Sequence, residues 1–300
     1  MNKKKMLVTG GAGFIGSHLV DKLIGQGHDV IIIDNESGAA SDKFYWNEKA
    51  THVKKCITDY EGTRPFYDGV DYVFHLAAKA RIQTTVDAPI ECTNTNLVGT
   101  TTILQCSREA GVKRVIYSST SSAYGLKNTP PLREDMPNDC LNPYSISKTA
   151  GEKMCKFYTD HFGLETVTFR YFNVYGPREP LKGPYAPVIG IFMRQRKAGE
   201  DMTIVGDGDQ RRDFTYVDDV VEANVRAAYA EGVSGETINV GTGTNHSVNE
   251  IADMIGGPRV NIPQRPGEAR ITLADNTKLK TLLKLTPEIK LEEYIKAEME

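Results

Sequence analysis

The chain has 300 residues, which at about 150 residues per domain means two domains or one large α/β unit with a subdomain. With 40% hydrophobic and 25% charged residues, 27 Gly and 14 Pro, it is not a disordered, collagenous or coiled-coil chain. Lys and Arg total 36 against 39 Asp and Glu, a net charge of −3, so nothing asks for a polyanion and no nucleic-acid partner is expected.

Lys3-Lys4-Lys5 precedes only Met6-Leu7-Val8, too short an apolar run for a signal peptide, and reads as a solvated lead-in to a first strand at 5–9. A helix over 14–26 follows, then Val30 to Ile33, four apolar residues that suit a strand buried on both faces. Strands at 52–56 and 72–76, a long helix over 88–110, a strand at 114–118, a helix over 144–162 and a strand at 166–170 continue the alternation. That order predicts a parallel sheet. Beyond Tyr175, Gly176-Pro177, Gly183-Pro184 and Gly206-Asp207-Gly208 punctuate shorter elements, and a smaller second domain is expected there. The tail from Lys290 to Glu300 reads as a surface helix, and Arg194, Arg196 and Lys197 as a solvated helix face. Cys56, Cys92, Cys106, Cys140 and Cys155, odd in number and without close pairs, fit reduced thiols rather than a disulfide framework. No apolar run approaches the roughly 18 residues of a membrane span, so a cytoplasmic protein is expected. His18, His28, His52, His75, His161 and His246 show no metal-ligand spacing, and no metal is expected.

Gly10, Gly13 and Gly16 form Gly-x-x-Gly-x-x-Gly between the first strand and helix. Glycines there permit a tight turn and bring the backbone and a helix N-terminus close to a pyrophosphate. The surrounding strand, turn, helix and second strand supply the context the motif requires. Asp34, 18 residues past Gly16 at the end of the second strand, accepts hydrogen bonds from the adenosine ribose hydroxyls and repels a 2′-phosphate. Asn35 and Glu36 follow with no Lys or Arg, which predicts NAD rather than NADP.

Tyr144 and Lys148 stand at i and i+4 on one helix face. A free phenol is a weak base at neutral pH, and a neighbouring ammonium favours its phenolate. Upstream, Ser118-Ser119-Thr120-Ser121-Ser122 ends a strand at the carboxyl edge of the sheet, where a doubly wound fold places its ligands. Hydroxyls that both donate and accept suit a sugar.

With these motifs in order, the sequence resembles the extended short-chain dehydrogenase/reductases, specifically the nucleotide-sugar 4-epimerases. The likeness runs from Leu7 to about Asp275 and includes His75-Leu76-Ala77-Ala78, Asn96 before Gly99-Thr100, Arg170 to Pro177, Gly206-Asp207-Gly208, Arg212-Asp213-Phe214 and Arg265-Pro266-Gly267-Glu268. The resemblance implies a Rossmann-type doubly wound α/β fold, with an NAD-binding domain at 1–175 and a mainly nucleotide-sugar-binding domain at 176–300. Segments near 213–245 are expected to return to the first domain. By the same resemblance NAD meets Gly10, Gly13, Phe14, Ile15, Gly16, Asp34, Asn35, Leu76, Ala77, Ala78, Lys79, Asn96, Ser118, Tyr144, Lys148, Tyr171 and Val174, with Asp59 and Tyr60 at the adenine. The UDP-sugar meets Thr120, Ser121, Ser122, Tyr144, Asn173, Val188, Thr203, Val205, Arg212, Arg265, Glu268 and Thr272. Permanently charged, bidentate arginines suit its diphosphate.

Within the resembled family, 4,6-dehydratases carry an Asp-Glu pair after the position of Thr120, and uronate decarboxylases a Glu at the second position. Ser121-Ser122 supplies neither. That implies epimerisation: Tyr144, directly or through Thr120, takes the 4-hydroxyl proton, hydride passes to bound NAD, and the 4-keto sugar is reduced on its other face. Thr272, a small residue at the position that limits the family's sugar pocket, implies UDP-GlcNAc/UDP-GalNAc interconversion, with UDP-Glc/UDP-Gal as cosubstrates and UDP-glucuronate as the alternative. A non-catalytic NAD sensor on the same fold is the alternative of another class; it predicts loss of Tyr144, Lys148 or the hydroxyl run, and all are present. Lys79 and Arg81 depart from the family's small or neutral residues; two readings are open, a hold on phosphate or an acidic sugar and a solvent placement, with solvent slightly favoured. The helices at 88–110 and 144–162 are expected to form a homodimer through a four-helix bundle, as family members do.

Overall fold

Strands buried on both faces need helices above and below them, and this requirement organises the first half of the chain. The computed structural model describes residues 2–38, 43–181, 187–263 and 269–300. Strands β1 (Lys5–Thr9), β2 (Asp29–Asp34), β3 (Thr51–Lys54), β4 (Tyr72–His75), β5 (Arg114–Thr120) and β6 (Glu165–Tyr171) alternate with helices. These are α1 (Phe14–Gly25), α2 (Tyr60–Thr63), α3 (Ile82–Asp87), α4 (Pro89–Thr93), α5 (Gly99–Glu109) and α6 (Pro143–Phe162). Then come β7 (Val174–Tyr175), α7 (Val188–Lys197), β8 (Met202–Val205), β9 (Arg211–Asp213), β10 (Thr215–Tyr216), α8 (Val217–Tyr229) and β11 (Glu236–Val240). The last elements are β12 (Asn245–Ser247), α9 (Val248–Ile255), β13 (Arg259–Ile262), α10 (Thr277–Leu282) and α11 (Leu291–Met299).

The main sheet has seven strands in the order β11-β6-β5-β4-β1-β2-β3, all parallel. The fold is therefore a Rossmann-type doubly wound sheet. The chain reverses its direction of travel between β1 and β4, which opens a crevice at their carboxyl ends. Alternate residues feed opposite layers: Met6 and Val8 pack with Leu19, Leu23 and Val220 on one face, and Leu7 packs with Ile103, Leu104 and Cys155 on the other. β11 joins the edge of this sheet, α8 packs beside α1, and Leu279 of α10 is buried in the first layer. A separate cluster of Ile189, Phe192, Met202, Ile204, Phe214 and Ile251 forms the core of the C-terminal half.

Three elements differ from expectation. The helix expected over 88–110 is broken into α4, a π-helical turn at Asn94–Val98, and α5. The turn seats Asn96 so that its side chain accepts from Lys79 N–H at 2.7 Å and donates to Lys79 C=O at 3.0 Å. β5 runs on to Thr120, so Ser119 and Thr120 belong to the strand. The tail helix α11 is no purely surface element, because Leu291 and Ile295 are buried in the C-terminal core. Among the described residues no helix is long and apolar enough to cross a membrane.

Glu179, where the chain enters the C-terminal half, is 6% exposed and its Oε2 has no hydrogen-bond partner among the described residues. Loss of water pushes its carboxyl up to about 8, against the opposing pull of Arg81. A carboxyl raised on folding stabilises the fold fully below its unfolded value, and that contribution disappears as pH climbs through about 8. Glu179→Gln, which never ionises, is expected to raise the unfolding temperature over the native chain at pH 8, with the gap narrowing toward pH 5; thermal scans at both pH values check this.

Candidate active site

The turn from β1 into α1 leaves no space for side chains. Gly10 has φ of +70°, and a Cβ there would stand 2.7 Å from Ala77 N; a Cβ on Gly16 would stand 2.1 Å from Gly10 O. The first turn of α1 carries no acidic side chain and its N-cap, Gly13, makes no side-chain cap, so its N–H groups are available to an anion. Asp34 closes β2 beside this turn. Its Oδ2 accepts from Ala12 N–H at 3.1 Å and its Oδ1 from Glu36 N–H at 2.8 Å. Burial raises its pKa while those donors oppose the rise.

A cavity of about 640 Å³ runs from Asp34 past the glycine turn to Arg212. At its centre Thr120, Tyr144 and Lys148 meet. Asn142 caps α6 by accepting from Ser145 N–H at 2.9 Å, with Pro143 at the first helical position, which starts the helix one residue before Tyr144. Gly151 lets α6 lie close on β5, since a Cβ there would fall 2.3 Å from the Tyr117 hydroxyl oxygen. The same hydroxyl donates to Lys148 C=O at 3.1 Å.

Thr120 Oγ1 accepts from Ser122 N–H at 3.1 Å, which leaves its proton for Tyr144. Burial raises the Tyr144 phenol above its ordinary value; the nearby Thr120 hydroxyl and the charge of Arg81 oppose this. Lys148 is 2% exposed, and burial draws its ammonium down to about 8. The sequence pairing assigns the support of the phenolate to Lys148. In the structure its Nζ lies over the Tyr117 ring, 4.4 Å from the centroid, and the charge of Arg81 also bears on the Tyr144 phenol.

Behind the glycine turn, His75 is fully buried and held neutral by desolvation and the nearby Lys148 charge. Thr100 Oγ1 donates to Asn96 O at 2.6 Å, so it accepts from His75 Nε2 at 2.9 Å. His75 Nδ1 then accepts from Thr9 Oγ1 at 2.7 Å, and Thr9 Oγ1 accepts from Ala77 N–H at 3.3 Å. This chain of bonds fixes the Leu76-Ala77-Ala78 segment along the cavity.

Of the sequence-derived site residues, Gly10, Gly13, Phe14, Ile15, Gly16, Asp34, Asn35, Leu76, Ala77, Ala78, Lys79, Ser118, Tyr171 and Val174 line the cavity. So do Thr120, Ser121, Ser122, Tyr144, Lys148, Asn173, Val188, Thr203, Val205 and Arg212. Asn173 holds φ of +22°, unusual for a residue with a side chain, and its amide donates to Asp213 O at 2.8 Å. Asp59, Tyr60, Asn96 and Thr272 are not on the cavity wall. Asp59 instead caps α2 through Gly62 N–H at 2.9 Å, and the Tyr60 hydroxyl donates to Glu109 at 2.6 Å. Arg265 and Glu268 lie outside the described residues. The solvent placement of Lys79 and Arg81 is overturned: both line the cavity, and Lys79 pairs with Glu91 at 2.7 Å. Lys55 and Ile57, unassigned from sequence, line the end near Asp34; Phe192 and Phe214 line it from the C-terminal half. Only the strand pairing of β2 with β3 brings Lys55 and Ile57 there, and no local motif marks it.

Residues 6–241 match the NAD dependent epimerase/dehydratase family. A Bacillus cytotoxicus UDP-N-acetyl-alpha-D-glucosaminuronate decarboxylase is 43% identical over 84% of this chain and 79% of its own length. A Mycolicibacterium smegmatis UDP-glucose 4-epimerase is 37% identical over 97% of this chain and 96% of its own. The crystal structure of a Thermotoga maritima UDP-glucose 4-epimerase with UDP-glucose is similar at a TM-score of 0.93 and 38% identity, covering 98% of this chain and 97% of that one. By this match over residues 6–241 and these identities, the chain belongs to the NAD dependent epimerase/dehydratase family.

Proposed function

We propose that this chain is an NAD-dependent 4-epimerase of UDP-sugars, working through a 4-keto sugar. One observation carries the reading. Thr120, Tyr144 and Lys148 share a cavity with the glycine turn, and among the described residues lining it the only acid is Asp34, at the other end. A dehydratase or decarboxylase needs a further carboxylate beside the tyrosine, and Ser121 and Ser122 occupy that place. Epimerisation needs only a base that takes a proton and gives it back.

The residues fit the dinucleotide, since the glycine turn packs without side chains, lines the cavity, and leaves the α1 N-terminus without a side-chain cap. The α1 N-terminus would hold its pyrophosphate, Asp34 the adenosine ribose and Lys148 the nicotinamide ribose. Bound NAD would supply the hydride acceptor and donor for C4, so none would be consumed. Tyr144 takes the 4-hydroxyl proton, directly or through Thr120, whose rotor is set by Ser122 N–H. It returns the proton after the sugar has presented its opposite face. Arg212, at the other end of the cavity, suits the UDP diphosphate, with Arg265 and Glu268 assigned to the nucleotide by resemblance. Residues 1–175 with 213–245 thus serve the dinucleotide, and the rest of 176–300 the UDP-sugar.

For the sugar we infer UDP-GlcNAc and UDP-GalNAc, with the plain hexoses as cosubstrates. Thr272 N–H donates to Arg211 O at 3.0 Å, directly behind the wall residue Arg212, and its buried hydroxyl has no partner among the described residues. A homodimer through 88–110 and α6 is supported by apolar side chains left exposed there: Ile90 is 78% exposed, Ile146 55% and Val98 48%.

Purified protein supplied with UDP-sugars and no added NAD is expected to give the C4 epimer by NMR, and a requirement for a second redox substrate would refute the reading. Tyr144→Phe is expected to lower kcat by roughly 10²–10⁴-fold while bound nucleotide is retained, measured by product analysis and by release of NAD on denaturation. Thr272→Tyr should abolish turnover of the N-acetyl sugars and spare UDP-Gal; equal loss of both would refute the pocket assignment. Sedimentation at micromolar concentration should give twice the chain mass, and a pure monomer would contradict the dimer.

A further inference from the structure

Glu152 takes no part in the chemistry above, yet it is built into the floor of the site. It is 9% exposed and stands one helical turn past Lys148 on α6. Its Oε1 accepts from Ser119 Oγ at 2.5 Å and from Arg170 Nε at 2.9 Å, and its Oε2 accepts from Arg170 Nη2 at 2.7 Å. Ser119 and Arg170 are register partners on β5 and β6, so two adjacent strands grip one carboxylate beneath the helix. Arg170 also donates to Asn138 at 2.9 Å and stands over the Tyr124 ring at 4.8 Å. Burying two ions costs desolvation, and apolar residues would fill the space at least as stably. A role in packing therefore does not account for the charge.

Lys148 does account for it. Its Nζ stands over the Tyr117 ring of β5, Glu152 is the buried residue one turn along the same helix, and the other titratable groups whose charge bears on it are Cys155 on that helix, Cys92 on α4 and His75 on β4. Tyr144 lies one turn before it, and Arg170 on β6 reaches this group through Glu152. Burial keeps the His75 imidazole neutral, pushes the Cys155 thiol up to about 12, and raises the Tyr117 phenol well above its ordinary value. Glu152 is the only carboxylic side chain in the set. Burial has already drawn Lys148 down to about 8, so a small further loss of support would leave it uncharged near neutral pH.

We propose that Glu152, clamped by Ser119 and Arg170, is a positioning residue whose carboxylate keeps Lys148 in its ammonium form beside the reacting tyrosine. This rests on the reading of Tyr144 and Lys148 as the catalytic pair. The test is an NMR titration of Lys148 in lysine-labelled protein as purified, assigned with Lys148→Arg, alongside the pH profile of kcat/KM. Glu152→Gln should lower the Lys148 midpoint by about one pH unit and move the alkaline limb of the profile down with it. Glu152→Asp should restore most of both. Glu152→Gln combined with Arg170→Met strands no buried cation, and should show the same shift should the single variant fail to fold. An unchanged midpoint, or a rate lowered equally at every pH, would overturn the proposal. Full activity in Tyr144→Phe would instead remove the catalytic reading and leave the measured coupling of Glu152 to Lys148 standing.

Discussion

The Tyr117 hydroxyl donating to Lys148 C=O, with Gly151 pressed against the same ring, is the contact on which the site depends. It fixes the distance between the long helix and the central strand. The residues proposed for the chemistry hang from those two elements: Thr120 ends β5, while Tyr144 and Lys148 lie along the first turns of α6. Displace the helix outward and the phenol leaves the reach of Thr120. The contact also gives the buried Tyr117 hydroxyl an acceptor, the second lone pair of a carbonyl within the helix.

Around that contact the charges are arranged in a graded way. Toward the sheet, Lys148, Glu152 and Arg170 form an alternating buried series. Toward the opening, Arg81 and Lys79 line the wall, Lys79 being answered by Glu91. The tyrosine thus stands between a dry, ordered set of ions and a wetter, cationic rim. The Arg81 charge favours a negative charge on the tyrosine oxygen, against the burial that raises its phenol.

Much of this was legible in the sequence because it is written in local terms. A glycine triplet after a strand, a carboxylate at the end of the next strand, and Tyr and Lys four apart on a helix each declare their geometry within a few residues. What escaped depends on neighbours distant along the chain. Lys55 and Ile57 reach the cavity only because β3 pairs with β2. Arg81 looked like a solvated cation until α3 and the C-terminal half closed around it. Asp59 reads as a polar group awaiting an adenine, but a short helix takes its oxygen as a cap. The π turn at Asn94–Val98 breaks a periodic pattern for one side chain's sake, and periodicity alone smooths over such a defect.

The bonded series from Asn96 through Thr100, His75 and Thr9 to Ala77 has its own consequence. Every member is uncharged, and none is exposed to the surrounding electrolyte. The Leu76-Ala77-Ala78 segment of the cavity wall is thereby fastened by bonds between uncharged groups, which added salt leaves untouched where it loosens exposed ion pairs.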